Sequence, residues 1–284
     1  MKKGTTRIVL FVTAVPAVIG IILFLPFKNF LVVNVMFIGI AVASSLEAGK
    51  LMLNKSAPLI RFGAAGLTGL LCTWIFIDTA GFLDSDFFIE VFEPVFFVSI
   101  VGLMLFFSVL VPKTKNIPNI ISRAGAGIFL IIYPGLFFVF CIKCTGLQYP
   151  AFLLLFLILT IFISDALAYV TGKLFGKQET VITKLSPNKT IIGFVTEIIF
   201  CCASSTAMAF FFPGRFPLHP IVAAVFGIGL GITTIIGDLF ESALKRSAGV
   251  KDSGRVIPGR GGFLDSLDSL LFSAPLFYFV FAGR

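Results

Sequence analysis

Residues 238–268 concentrate charge in a chain that is 58% hydrophobic. Asp238, Glu241, Ser242 and Lys245 fall at offsets 0, 3, 4 and 7, which on a helix is one polar stripe. Asp265 and Asp268 follow at i and i+3. Between the two groups lie Arg246, Lys251, Asp252, Arg255 and Arg260, with Gly259, Gly261 and Gly262. Carboxylates suit a hard cation such as Mg2+, which takes oxygen ligands and is usually shared with substrate phosphates. Arg offers phosphate a planar two-point contact and Lys a compact charge. Glycine lets the backbone approach closely. Acids for metal, bases for phosphate and glycines for approach are the parts of phosphoryl or nucleotidyl transfer. The plainer reading of the stripe is a helix end with its polar face in water. Against that, it begins beside the apolar run from Gly231 to Gly237, and the second carboxylate pair follows closely.

A second group lies upstream. Asp165 sits inside an apolar segment, with Tyr169 one turn on and on the same face. An ionisable residue there should face the interior of a helix bundle. Gly172, Lys173, Gly176 and Lys177 follow, then Ser186-Pro187-Asn188-Lys189-Thr190. The last five residues precede an apolar run and are candidates for its N-terminal cap. A helix N-terminus beside a lysine is a plausible anion site. Glycine and lysine are also what any cytoplasmic loop contains, so this pattern alone reads both ways.

The elements that must position these residues are membrane helices. The mean hydropathy of +1.06 excludes an ordinary soluble domain. Only 13% of the residues are charged, and Phe alone contributes 36. A bilayer needs about 20 apolar residues per helix. Nine such runs stand out, near 8–27, 30–48, 59–80, 87–111, 121–142, 150–172, 190–212, 218–240 and 263–283. The first two could instead be one reentrant pair around Pro26 and Lys28. The second ends with Ser44, Ser45 and Glu47. The expected fold is all-α: a polytopic membrane protein of about nine transmembrane helices with short cytoplasmic helical extensions. It forms a single integral membrane domain over 1–284, with N-terminal helices in 1–145 and the chemistry-bearing half in 146–284. The N-terminal Met-Lys-Lys and Arg7 precede a run without a convincing cleavage site, which reads as a retained first span.

With the N-terminus in the cytoplasm, 18 of the 22 Lys and Arg residues fall on the cytoplasmic side. Lys28, Lys143, Arg215 and Arg284 fall on the other. This bias sets orientation and puts both charged groups in the cytoplasm. The net charge of +8 lies mostly in short gaps between apolar runs, which argues against a nucleic-acid partner. Cys72, Cys141, Cys144, Cys201 and Cys202 are odd in number and sit in apolar settings, so they read as plain membrane cysteines rather than a disulfide framework. His219 is the only histidine and sits between Pro217 and Pro220, where a structural role is expected. No Walker A loop, nucleophile elbow or internal repeat is evident.

The ordered motifs resemble the phosphatidate cytidylyltransferase (CDP-diacylglycerol synthase) family. Its signature is S-x-x-K-R, then K-D, then P-G-H-G-G-x-x-D-R-x-D. Here the corresponding residues are Ser242-Ala-Leu-Lys245-Arg246, Lys251-Asp252, and Pro258-Gly259-Arg260-Gly261-Gly262-Phe-Leu-Asp265-Ser266-Leu-Asp268. The resemblance is close over about 160–275 and extends to Asp165, Tyr169, Gly172, Gly176 and Lys189-Thr190. Arg260 stands where the family usually has His, and Ser266 where it usually has Arg. The resemblance implies a nucleotidyltransferase of phospholipid biosynthesis in a membrane, expected to be the bacterial plasma membrane. It would convert CTP and phosphatidic acid to CDP-diacylglycerol and pyrophosphate with Mg2+, alone or with a second cation. It further implies Asp238, Asp265 and Asp268 as metal ligands, with Lys245 joining them in catalysis. Lys245, Arg246, Lys251 and Arg260 would contact CTP phosphates. Asp165, Tyr169 and Lys189 would shape the substrate pocket, and Ser242 and Asp252 belong to the same motifs. A homodimer is implied as well. The nearest rival is a CTP-dependent lipid-alcohol kinase of the dolichol or phytol kinase type, which would release CDP.

Overall fold

The computed structural model describes residues 3–53, 58–81, 86–110, 120–176, 189–258 and 261–283. Its elements are helices: α1 (Lys3–Phe24), α2 (Phe27–Leu53), α3 (Pro58–Thr79), α4 (Asp86–Leu110), α5 (Ile120–Leu130), α6 (Phe137–Lys143), α7 (Pro150–Phe175), α8 (Ile191–Phe211), α9 (Pro220–Ser247) and α10 (Leu264–Phe281). A π turn over Ile131–Leu136 joins α5 to α6, so that Ile120–Gly146 is one apolar run. The protein is thus all-α and polytopic, as the hydropathy requires. Among the described residues seven helical runs are long and apolar enough to cross a membrane. The expected spans at 8–27 and 87–111 correspond to α1 and α4, whose described apolar stretches are the shorter Val15–Phe24 and Val95–Phe106.

Two compact units divide the chain. The first comprises Met1–Gly146 with Asp252–Ser266, and the second Leu147–Lys251 with Leu267–Arg284. The glycine-rich segment before α10 goes with the N-terminal helices.

In the first unit, α2 starts with three left-handed residues, Lys28, Asn29 and Phe30 (φ 45–57°). This conformation is unfavourable for side-chain-bearing residues but least so for Asn. Side-chain hydrogen bonds hold the break: Asn29 Nδ2 donates to Thr79 O at 2.8 Å, and Asn34 Nδ2 to Asn29 O at 3.0 Å and Thr145 Oγ1 at 3.1 Å. After it α2 continues to Leu53 and is itself long enough to span a membrane.

In the second unit, three helix ends have a visible local cause. Thr190 caps α8 by accepting from Gly193 N at 3.2 Å, which realises the expected cap. His219 caps α9 through Nδ1, which accepts from Ile221 N, with Pro220 as the first helical residue. The C-terminus of α9 closes in a Schellman motif: Val250 N donates to Lys245 O and Gly249 N to Arg246 O, both at 3.0 Å, with Gly249 at φ +69°. Close packing is set by small residues. A Cβ on Gly231 would lie 2.8 Å from Ile198 Cα, and one on Gly237 3.1 Å from Ser269 Cα. Thr233 and Thr234 on α9 each meet Ser273 of α10 at 3.1 Å. Beyond them Phe156, Phe216, Phe226, Phe277 and Phe281 stack edge to face or tilted, and Phe216 and Phe277 are fully buried. Along α9, Phe226 and Asp238 are about 18 Å apart at 1.5 Å per residue. One end of the helix is therefore an aromatic core and the other is polar. All five cysteines are free thiols.

Candidate active site

The polar end of α9 carries the densest charge in the second unit. Lys189, just before α8, forms an ion pair with Asp238, and Lys245 pairs with Glu241 one turn earlier on α9. The Glu241 side chain is fully buried and that of Lys245 is 15% exposed, so this is not a solvated face. Ser242 Oγ lies 3.5 Å from Asp238 Oδ1. Burial alone would lower the pKa of Lys189. The charge and hydrogen bond of Asp238, with added pull from Glu197 and Asp165, outweigh it and leave the ammonium raised above the ordinary 10.5. Asp268, on the first turns of α10, is buried and accepts from Ser269 N at 2.7 Å. Asp238, Asp165 and Lys245 all act on it electrostatically. Four helices thus bring Asp165, Glu197, Asp238, Glu241 and Asp268 into electrostatic contact with two lysines. Acids alone at this density would repel one another in a low dielectric; the lysines offset that charge.

In the first unit, the segment before α10 is folded around carboxylates. Asp265 Oδ2 accepts from Ser253 N (2.7 Å), Ser253 Oγ (2.9 Å) and Gly262 N (2.8 Å). Ile257 and Gly261 exchange backbone hydrogen bonds at 2.8 and 3.0 Å, making a tight turn with Gly261 at φ +117°. A Cβ at that residue would also overlap the Asp265 carboxylate. Ser266, where the resembled family has Arg, donates to Gly262 O at 3.2 Å and so stays within the turn.

Of the expected site residues, Asp165, Lys189, Asp238, Ser242, Lys245 and Asp268 are gathered in the second unit. Tyr169 is 67% exposed rather than directed inward with Asp165. Arg246 and Lys251 are exposed at the end of α9, where Arg246 Nη1 reaches Val250 O at 3.4 Å. Asp252 and Asp265 belong to the first unit. Gly172 and Gly176 admit Thr190, whose side chain a Cβ at either position would strike. Lys177, Ser186, Pro187, Asn188, Gly259 and Arg260 lie outside the described residues. Glu197 was missed. It is 1% exposed, and its Oε1 is buried without a hydrogen-bond partner among the described residues. The signal was available, since a lone carboxylate amid an apolar span is itself a functional flag. Among the described residues no group of three or more His, Cys, Asp or Glu side chains has the arrangement of a metal site.

An all-helical membrane protein with acid–base pairs on its spanning helices is the class that fold and site define. A profile of the cytidylyltransferase family matches residues 5–283, and the chain belongs to that family. A Bacillus subtilis protein named phosphatidate cytidylyltransferase is 34% identical over 220 residues, covering 76% of this chain and 78% of that one. An Aquifex aeolicus protein of the same name is 37% identical over 152 residues, 54% of this chain and 55% of its own. An uncharacterized Escherichia coli protein is 39% identical over 135 residues, 48% of this chain and 44% of its own.

Proposed function

We propose that this chain transfers the cytidylyl group of CTP to phosphatidic acid, giving CDP-diacylglycerol and pyrophosphate. The observation that carries the reading is the pairing of Lys189 with Asp238 and Lys245 with Glu241 at the polar end of a membrane helix in a member of the cytidylyltransferase family. The names of the Bacillus and Aquifex relatives supply the lipid substrate. In the reaction a phosphate oxygen of the lipid bonds to the α-phosphorus of CTP. The bond from that phosphorus to the bridging oxygen breaks, and pyrophosphate leaves with the electron pair. A phosphate monoester has its second pKa near ~6, so the nucleophile is already ionised at neutral pH. No strong base is needed, which fits a chain whose single histidine is spent on capping α9. The work left for the protein is alignment and charge stabilisation.

The donor set fits a hard divalent cation, with Mg2+ the first choice. Asp238 and Asp268 offer two carboxylates, and Mg2+ commonly binds one or two carboxylates plus substrate phosphates. The family resemblance adds Asp265 as a third carboxylate. A bound cation would polarise the phosphates and neutralise charge developing on them. Lys245, Arg246, Lys251 and Arg260 contact the CTP phosphates in this reading. Asp165, Tyr169, Lys189, Ser242 and Asp252 shape the pocket around them. In this reading the N-terminus and these residues lie on the cytoplasmic side of a bacterial plasma membrane, the side that the Lys and Arg bias favours, where CTP arrives from water and the lipid from the leaflet. A homodimer is the assembly the family resemblance suggests.

The test is release of pyrophosphate from CTP by purified protein, with and without phosphatidic acid and Mg2+. The expected result is release that requires both and is lost in Asp238→Asn. Release of CDP instead would make the protein a lipid kinase. Full activity in Asp238→Asn would remove the metal assignment, and full activity in Arg260→Ala would remove its phosphate contact.

A further inference from the structure

We infer that Glu47 is a positioning residue that holds the two flanks of the glycine-rich segment, 252–258 and 261–263, in the shape in which they meet nucleotide; this rests on the cytidylyl-transfer reading above. Glu47 lies near the end of α2 and is 3% exposed. A buried carboxylate must be satisfied by hydrogen bonds. Its donors come from more than 200 residues away. Oε1 accepts from Phe263 N at 3.2 Å, and Oε2 accepts from Leu264 N at 3.0 Å and Ser253 Oγ at 3.2 Å.

Phe263 N and Leu264 N are donors at the very start of α10, which has no helical acceptors to offer them. Glu47 is therefore an N-terminal cap supplied by another helix, with charge of the sign that a helix N-terminus favours. The segment is shaped to receive it. A Cβ on Gly262 would overlap Glu47 Oε2, and one on Gly254 would lie 2.9 Å from its Cδ. The carboxylate occupies the space those glycines leave open. Ser253 Oγ is also 2.9 Å from Asp265 Oδ2, so its one proton is shared between Glu47 and a residue of the proposed chemistry. Shape is thereby transmitted from α2 to the turn and to the helix that carries Asp265.

The chemistry makes Glu47→Gln a sharp test. Each carboxylate oxygen faces a backbone N–H, so whichever way a glutamine amide is flipped, its NH2 meets a donor. Size is conserved and one anchor must fail. Small misplacements of binding groups cost about 10- to 100-fold. We expect Glu47→Gln to raise the KM for CTP about 10-fold in the pyrophosphate-release assay, while the KM for phosphatidic acid changes less than about twofold. Glu47→Asp, which keeps both oxygens, should recover part of the loss. Hydrogen–deuterium exchange should quicken at the amides of 252–266 and nowhere else in the first unit. If Glu47→Gln does not fold, Gly262→Ala perturbs the same contact from the other side and should reproduce the CTP effect. An active wild type with an unchanged CTP KM in Glu47→Gln overturns the inference. So does exchange that quickens throughout the first unit, which marks Glu47 as a general stabiliser. If the wild type releases no pyrophosphate, the transfer reading is what fails, and exchange confined to 252–266 still decides the anchoring by itself.

Discussion

Lys189 and Asp238 show how a membrane site uses charge. The Lys189 and Asp238 side chains are 24% and 26% exposed, between a surface pair and a buried one. Pairs of this kind fall between the weak contribution of exposed bridges and the strong penalty of leaving a buried charge alone. Lys189→Met should destabilise the detergent-solubilised protein by about 1–3 kcal/mol, and Lys189→Arg by less. The pH dependence has a definite sign. The folded pKa of Lys189 is raised above the ordinary 10.5, so its contribution is fully present below that value. It is lost only as pH rises through the raised folded value. Thermal unfolding at pH 8 to 11 should therefore show no loss from this pair at the neutral end. A wild-type minus Lys189→Met difference that collapses below about pH 9 would contradict the assignment. Glu197 makes a different point at the same scale: a single acid in an apolar helix is a flag in the sequence alone.

At the scale of the element, α9 is built to end abruptly. Its aromatic face buries Phe226 at one end and its polar stripe carries Asp238 to Lys245 at the other. The Schellman closure at Gly249 fixes where Lys245 and Arg246 stop being helical. A residue other than glycine in that left-handed conformation costs about 1–2 kcal/mol. Gly249→Ala should lower stability by that order. It should also weaken CTP binding more than phosphatidic acid binding, since the bases lie in the last turn. Equal effects on both substrates, measured as KM values, would detach the helix end from nucleotide binding. The start of α8 was legible from Thr190 because caps act within a few residues of chain. The role of Gly172 and Gly176 was not legible, because a glycine that admits phosphate and one that admits Thr190 look alike in sequence.

For the whole molecule, the charge bias makes a topological prediction. Ser247 ends α9 and Gly214 lies in the loop that precedes it; both are exposed, and the 28 residues of α9 are enough to cross a bilayer. The native cysteines are buried or half-buried. A Ser247→Cys variant should react with a membrane-impermeant maleimide only in inverted vesicles, and a Gly214→Cys variant only in intact cells. The reverse pattern would turn the proposed cytoplasmic site to the outside.

Sequence by itself determined the class, the helices and most of the acids and bases. Bilayer thickness imposes a length on apolar runs, and ionisable residues within them are too costly to be incidental. It also carried the family's ordered motifs. Tertiary structure alone decided which charges neutralise which. Lys189 meets Asp238 across 49 positions of chain, and nothing local to either names the other. It also decided that residues 252–266 join the N-terminal helices, because the donors of that segment find their acceptor on α2 at Glu47. Caps and spans follow from forces that act within a few turns, whereas a carboxylate's partner depends on which backbone the whole fold brings beside it.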